Sequence, residues 1–296
     1  MKTVNENGQL AVVAKRQLAK LGTDEKNNIL AVCAKALRDN AEFIVGENAK
    51  DMENAKNNNM PQGLQDRLML NVERVNAMAE GLELIEKLPD PIGEVLDMRT
   101  LPNGLTVGQK RVPMGVIGII YEARPNVTSD AFGLCLKAGS AVILRGGSDA
   151  IHSNIATVSV FRKAIEGLGY NHDFVQLVED TTRTSSTEMM TLNDYIDLLI
   201  PRGGKGLIQS VVKNATVPVI ETGVGNCHIY MDESGKIDDG VNIIVNAKAQ
   251  RVGVCNAAET LLVHKNIAKE YLPKAISALR EKGVEIRGDE IFVNAG

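Results

Sequence analysis

Beyond residue 115 the chain is punctuated by six short apolar runs, at 116–121, 141–144, 174–178, 196–200, 217–220 and 260–263. Runs of this length suit strands and are too short for buried helices. Between several of them lie stretches long enough for a helix, such as 152–167 and 184–193. Strands alternating with helices pack as a parallel sheet covered on both faces, so the pattern predicts an α/β fold of the doubly wound type. In such sheets ligands bind beyond the carboxyl ends of the strands, which makes the loop after each run a place to look for function.

Ahead of this region, residues 8 to about 90 read as helices. Leu10, Val13, Ala14 and Leu18, then Ile29, Leu30, Cys33 and Leu37, fall at helical spacing, and Thr23-Asp24-Glu25-Lys26 is a helix start. The charges scattered over 47–66 suit a solvated helix face. At 91–112 the pattern changes to a hairpin about Pro102-Asn103-Gly104, where Asn and Gly tolerate positive φ.

The chain's 296 residues allow two domains at roughly 100 to 200 residues each. With 3% aromatic residues and no Trp, the cores must be filled by Val, Ile, Leu and Ala. A net charge of −4 gives no reason to expect a nucleic-acid partner. No apolar run approaches the roughly 20 residues that span a bilayer, so no membrane is expected either. The polar N-terminus lacks a secretory signal, and a cytoplasmic location is the expectation. Cys33, Cys135, Cys227 and Cys255 show no CxxC spacing, which favours reduced thiols and no metal site.

Cys255 carries the strongest chemical signal. It lies in Arg251-Val252-Gly253-Val254-Cys255-Asn256-Ala257-Ala258, just before the run at 260–263. A small-residue turn can expose its sulfur, and Arg251 nearby favours the thiolate, the form that acts as a nucleophile. Glu221 stands 34 residues earlier, ahead of Gly223-Val224-Gly225. Two loops suit a phosphate-bearing ligand. Arg145-Gly146-Gly147-Ser148 offers backbone access and the fork-like donors of an arginine. Arg202-Gly203-Gly204-Lys205 leads into a helix whose amides could meet a pyrophosphate. Neither loop has the G-x-G-x-x-G fingerprint or a P-loop. His228 beside Ile229-Tyr230-Met231 reads as a satisfied core residue, and Cys227 and Cys135 as structural thiols.

The Glu221 to Cys255 pair and its interval resemble the aldehyde dehydrogenase superfamily. Within it the chain is most similar to the γ-glutamyl phosphate reductase family, through Tyr121-Glu122-Ala123-Arg124-Pro125-Asn126-Val127-Thr128, the 136–148 stretch, Pro201-Arg202-Gly203-Gly204-Lys205, the 221–228 stretch and Cys255-Asn256-Ala257-Ala258-Glu259-Thr260. The resemblance implies reduction of γ-glutamyl phosphate by NADPH through a Cys255 thioester. Catalytic roles then fall to Cys255, Glu221 and Asn126, the last as oxyanion donor with Arg124 as its rival. Arg124, Arg251 and Lys137 become substrate-anion partners, with surface solvation as the plain alternative for Lys137. The cofactor contacts would be Arg145, Gly146, Gly147, Ser148, Arg202, Gly203 and Gly204. Enzymes of the superfamily that use NAD often carry an acid where this chain has Ser148, which favours NADP. The hairpin is implied in subunit contacts, giving a homo-oligomer in the complete enzyme, and a contact with the glutamate kinase of the same pathway is implied too.

The expected organisation is an NADP-binding α/β domain over 1–225, with the hairpin 91–112, and a partial catalytic domain over 226–296. Members of the family run well beyond residue 296, so a polypeptide of this length is expected to hold the cofactor domain but little reductase activity. Two other functions stay open: oxidation of a free aldehyde, and an inactive binding or structural remnant.

Overall fold

The computed structural model describes residues 2–223, 225–252 and 254–293. The chain divides into two compact units, Met1–Thr222 and Gly223–Gly296.

The first unit opens with five helices, α1 (Val4–Leu18), α2 (Thr23–Asp39), α3 (Ala41–Asn57), α4 (Gln62–Leu68) and α5 (Val72–Lys87). A Thr3 to Glu6 capping box starts α1. The hairpin follows as β1 (Val95–Thr100) and β2 (Thr106–Lys110), antiparallel and exposed along its whole length. Gly104, at φ +84°, makes its turn.

The alternating half then begins with β3 (Val116–Tyr121), α6 (Asn126–Lys137), β4 (Ala141–Arg145), α7 (Ile151–Gly167), β5 (Val175–Leu177), α8 (Arg183–Met190), β6 (Leu198–Arg202) and α9 (Lys205–Asn214). Among the described residues these strands form a four-stranded parallel sheet in the order β5-β4-β3-β6. Every residue of β3 is buried, as is all of β4 but Arg145, the signature of a strand covered on both faces. Helices α6 and α7 pack on each other and on the sheet, while α1 packs against β3, β4, β5 and α8. Phe132 of α6 and Phe161 of α7 stack with ring centroids 4.6 Å apart.

One charged tie fixes this packing. The Asp51 carboxylate on α3 is buried and accepts from the Ser153 amide at 2.8 Å, the Ser153 hydroxyl at 2.6 Å and the His152 amide at 3.1 Å, capping α7 from another helix. Burial raises its pKa, and these hydrogen bonds partly oppose the rise.

The run at 217–220 does not form a full strand. Val219 makes one isolated parallel bridge to Leu199 beside β6, since Pro218 has no N–H to extend the ladder.

The second unit holds β7 (Cys227–Met231), α10 (Ile237–Ala249), β8 (Ala258–Val263), α11 (Ala268–Glu281) and the short α12 (Glu290–Val293). Here β7 and β8 pair in parallel. Ile229, Met231, Leu261 and Val263 pack with Ile244, Tyr271, Leu272 and Ile276, whereas His228, Tyr230 and Leu262 are exposed. Residues 284–287 are irregular. Val284 N instead donates to Leu279 O, closing the C-terminus of α11 over Gly283 at φ +72°.

Candidate functional site

In the first unit the strand order reverses at β3: β4 and β5 lie on one side and β6 on the other. The crevice beyond the carboxyl ends of β3 and β6 is therefore the switch point, where sheets of this kind bind ligands. Three loops meet there. Glu122 follows β3, and its Oε2 accepts from the Gly204 amide at 3.0 Å. Gly203 lies so close that a Cβ would sit 2.7 Å from Glu122 Cδ, so a larger residue there would have to push the carboxylate aside. Gly147, after β4, backs onto the Glu122 and Ala123 backbone, its Cβ position 3.6 Å away.

A buried polar network lies under the β4 loop. Thr128 Oγ1 donates to Asn154 Oδ1 at 2.8 Å and is 2.7 Å from Tyr121 Oη. Burial pushes the Tyr121 phenol up, so it stays neutral. Asn154 Nδ2 occupies the space beside Gly146, where a Cβ would be 2.2 Å from it. Arg145 is turned onto the backbone: Nη2 donates to Thr181 O at 2.6 Å and Thr182 O at 2.8 Å, and Nη1 to Gly146 O at 3.2 Å. Burial lowers its pKa, with Asp180 opposing. Arg145 thus ties the loop after β4 to the segment after β5, and Ser148 and Asp149 are exposed beyond it.

In the second unit Cys255 is a free, exposed thiol on the turn leading into β8. Ala257 and Ala258 are buried behind it and anchor the turn. Cys227 Sγ donates to Cys255 O at 3.6 Å, fixing the cysteine's backbone from β7. Thr260 Oγ1 donates to Asn226 Oδ1 at 3.2 Å, a second tie between the same segments. Arg251 is exposed at the start of the turn. Val224 and Gly253, in the two motifs flanking this region, lie outside the described residues.

A profile of the aldehyde dehydrogenase family matches residues 1–290. The chain belongs to the aldehyde dehydrogenase family. It is 55% identical over 290 residues to the γ-glutamyl phosphate reductase of Lachnospira eligens, covering 98% of this chain and 70% of that protein. To the enzyme of the same name from Clostridium botulinum (strain Eklund 17B) it is 56% identical over 289 residues, again 98% of this chain and 70% of the relative. The crystal structure of γ-glutamyl phosphate reductase from Thermotoga maritima superposes with a TM-score of 0.87 at 45% identity, covering 99% of this chain and 71% of that one. A propionaldehyde dehydrogenase from Clostridium phytofermentans, at 19% identity, shares the fold with a TM-score of 0.72 over 98% of this chain and 62% of its own.

Members of the family use a nicotinamide cofactor. The switch-point loops offer one donors: glycines come together there, and α9 has Gly204 as its N-cap with no side-chain cap, leaving amides for phosphate. The Glu122 carboxylate on the Gly204 amide is the group such a phosphate would meet. Sequence reasoning missed this residue. The signal was a lone carboxylate directly after the most buried strand.

The expected residues sort by place. Gly147, Gly203 and Gly204 converge on Glu122. Arg202 is exposed at the end of β6. Asn126 opens α6 with its amide donating to Asp130 Oδ2 at 3.0 Å, and Arg124 is half-buried in the turn before it. Glu221 is exposed just past the Val219 bridge.

Lys137 is a correction. It is buried at the far end of α6, its ammonium donating to Asn27 Oδ1 at 2.6 Å and Glu86 O at 2.8 Å. Burial lowers its pKa, with Asp90 opposing. It therefore fastens α6 to α2 and α5, and it neither faces the crevice nor lies in solvent. His228 is also displaced from expectation: it is exposed, with Nδ1 2.8 Å from Asn226 O. Cys135 is buried, its thiol pushed up to about 12, which leaves it inert. Among the described residues no cluster of His, Cys, Asp or Glu could hold a metal ion, and no helix is long and apolar enough to cross a membrane.

Proposed function

We propose that this chain reduces γ-glutamyl phosphate to L-glutamate 5-semialdehyde with release of phosphate, a step of proline biosynthesis, through a thioester on Cys255. The observation that carries the reading is the free, exposed Cys255 thiol on the turn before β8, in a chain 55% identical over 98% of its length to a γ-glutamyl phosphate reductase.

Cys255 Sγ attacks the acyl carbon, and the carbon–oxygen bond to phosphate breaks with its electron pair leaving on phosphate. Splitting the reaction at a thioester replaces one hard displacement by two easier ones. NADPH, when bound, supplies the hydride; the carbon–sulfur bond then breaks and Sγ departs as thiolate. The Cys255 amide and the Asn126 side chain are the oxyanion donors, each worth about 3 kcal/mol in sites of this kind. Arg124 and Arg251 meet the substrate's phosphate and α-carboxylate. A reductase has no hydrolytic water to activate, so Glu221 is assigned to proton transfer at the substrate oxygen.

The cofactor is assigned to Gly146, Gly147 and Ser148 after β4 and to Arg202, Gly203 and Gly204 after β6. NADPH is preferred to NADH because residue 148 is an exposed serine, at a position where a carboxylate would repel the 2′-phosphate. Arg145 contributes by bracing that loop and by its fixed charge. The hairpin, exposed with Leu96 and Met98 along it, suits a subunit contact, and the assigned location is the cytoplasm.

The test is oxidation of glutamate 5-semialdehyde by NADP with and without phosphate. Strict phosphate dependence supports the reading, and phosphate-independent oxidation would make the chain an ordinary aldehyde dehydrogenase.

A further inference from the structure

The switch-point crevice already contains an anion, and it belongs to the protein. The Glu122 carboxylate faces the start of α9, a 10-residue helix whose N-terminal amides and dipole attract negative charge. The surroundings are shaped to it. Gly203 has no Cβ, and one would lie 2.7 Å from Glu122 Cδ and 2.9 Å from Oε1. Gly204, whose amide is bound, leaves its own Cβ position 3.6 Å from Oε1. The Glu122 backbone is fixed independently, its amide donating to Arg202 O at 3.3 Å and its carbonyl accepting from the Arg124 amide at 2.8 Å. The side chain is exposed, so rotation about its own torsions can carry the carboxylate off the amide while the strand end stays in place.

We propose that Glu122 is an internal occupant of the cofactor's phosphate cradle: it holds the Arg202–Gly204 loop in shape in the free protein and is displaced when the pyrophosphate binds. The proposal rests on the cofactor reading above. Two anions cannot share one set of amides without repulsion, so the resident carboxylate lowers affinity for the pyrophosphate while keeping the empty loop ordered. Glu122 is thus a positioning residue that sets how tightly the cofactor is held. Its effect falls on the pyrophosphate and spares the adenosine end.

The test compares the full chain with Glu122→Gln, which keeps an acceptor for the Gly204 amide and removes the charge. Titration calorimetry follows NADPH, inorganic pyrophosphate and 2′-AMP, the last carrying the ribose phosphate without a pyrophosphate. The expected result is NADPH and pyrophosphate bound roughly tenfold more tightly by the variant, with 2′-AMP unchanged. Glu122→Ser, lacking the carboxylate altogether, should move in the same direction, and melting of each ligand-free protein verifies that both variants are folded. Equal or weaker binding of NADPH and pyrophosphate by the folded variants, with NADPH still bound by the parent, overturns the role of Glu122 alone. Failure of NADPH to bind any of the three proteins overturns the cofactor reading and this proposal together.

Discussion

The two parallel sheets of this chain differ in how they are covered, and the roles proposed for them differ with it. In the first unit β3 is buried along its whole length, with helices packed around a four-stranded sheet. In the second, β7 and β8 alternate between residues packed on α10 and α11 and residues in solvent, Tyr230 at 57% and Leu262 at 49% exposed. A sheet covered on both faces holds its strand ends rigidly, as a cradle for a dinucleotide requires. The smaller sheet presents a thiol on a turn, which needs only local ties such as Cys227 to Cys255 O and Thr260 to Asn226. The proposed cofactor loops lie in the first unit and the proposed nucleophile, Cys255, in the second.

The division is tested most severely by removing the thiol. Cys255→Ala is expected to lower phosphate-dependent turnover by roughly 10³-fold or more while NADPH binding, followed by calorimetry, stays unchanged. Loss of both would mean that the two units do not separate in function.

Next in size is the core of the second unit. Tyr271 is fully buried, with its hydroxyl donating to Gly240 O at 3.0 Å. Tyr271→Ala should cost about 3 to 5 kcal/mol, read by urea unfolding, with hydrogen exchange rising in β7 and β8 before β3 and β4. Simultaneous exchange in all four strands would show a single cooperative unit.

Asp51→Ala probes the first unit in the same way. It strands the His152 and Ser153 amides and the Ser153 hydroxyl, at a cost of about 2 to 3 kcal/mol by the same measurement, and here β3 and β4 should be the strands affected. A smaller effect is expected of Ser148→Glu, which places a carboxylate where the 2′-phosphate is assigned. It should weaken NADPH relative to NADH by about 1.5 kcal/mol and leave Cys255 reactivity alone. Equal loss for both cofactors would give that loop a purely structural part.

The contrast between the units also decides what could be read from sequence. A strand buried on both faces is an unbroken apolar run, so 116–121 marks β3 at both ends. β7 mixes Cys, His, Ile, Tyr and Met over five residues, and only its last three read as apolar, so no strand was expected there. At 217–220 the apolar content was legible but Pro218 limits pairing to one bridge. At 284–287 Val284 and Ile286 pack on the core, and among the described residues the segment pairs with no strand. The turn bearing Cys255 is marked by its own small neighbours. Glu122 is different: its partner amide is 82 residues away, and nothing local says that a carboxylate after β3 will face α9. Lys137 fails for the same reason, because its burial depends on Asn27 and Glu86 in two other helices.

The account stands or falls on a covalent intermediate at Cys255. Rapid acid quenching of the full chain mixed with γ-glutamyl phosphate in the absence of NADPH, followed by peptide mass spectrometry, reads it directly. A γ-glutamyl group on the peptide carrying Cys255, removed by hydroxylamine and absent from Cys255→Ala, is the predicted result. An unmodified Cys255 in enzyme that turns over when NADPH is added, or a γ-glutamyl group on another residue, would contradict it.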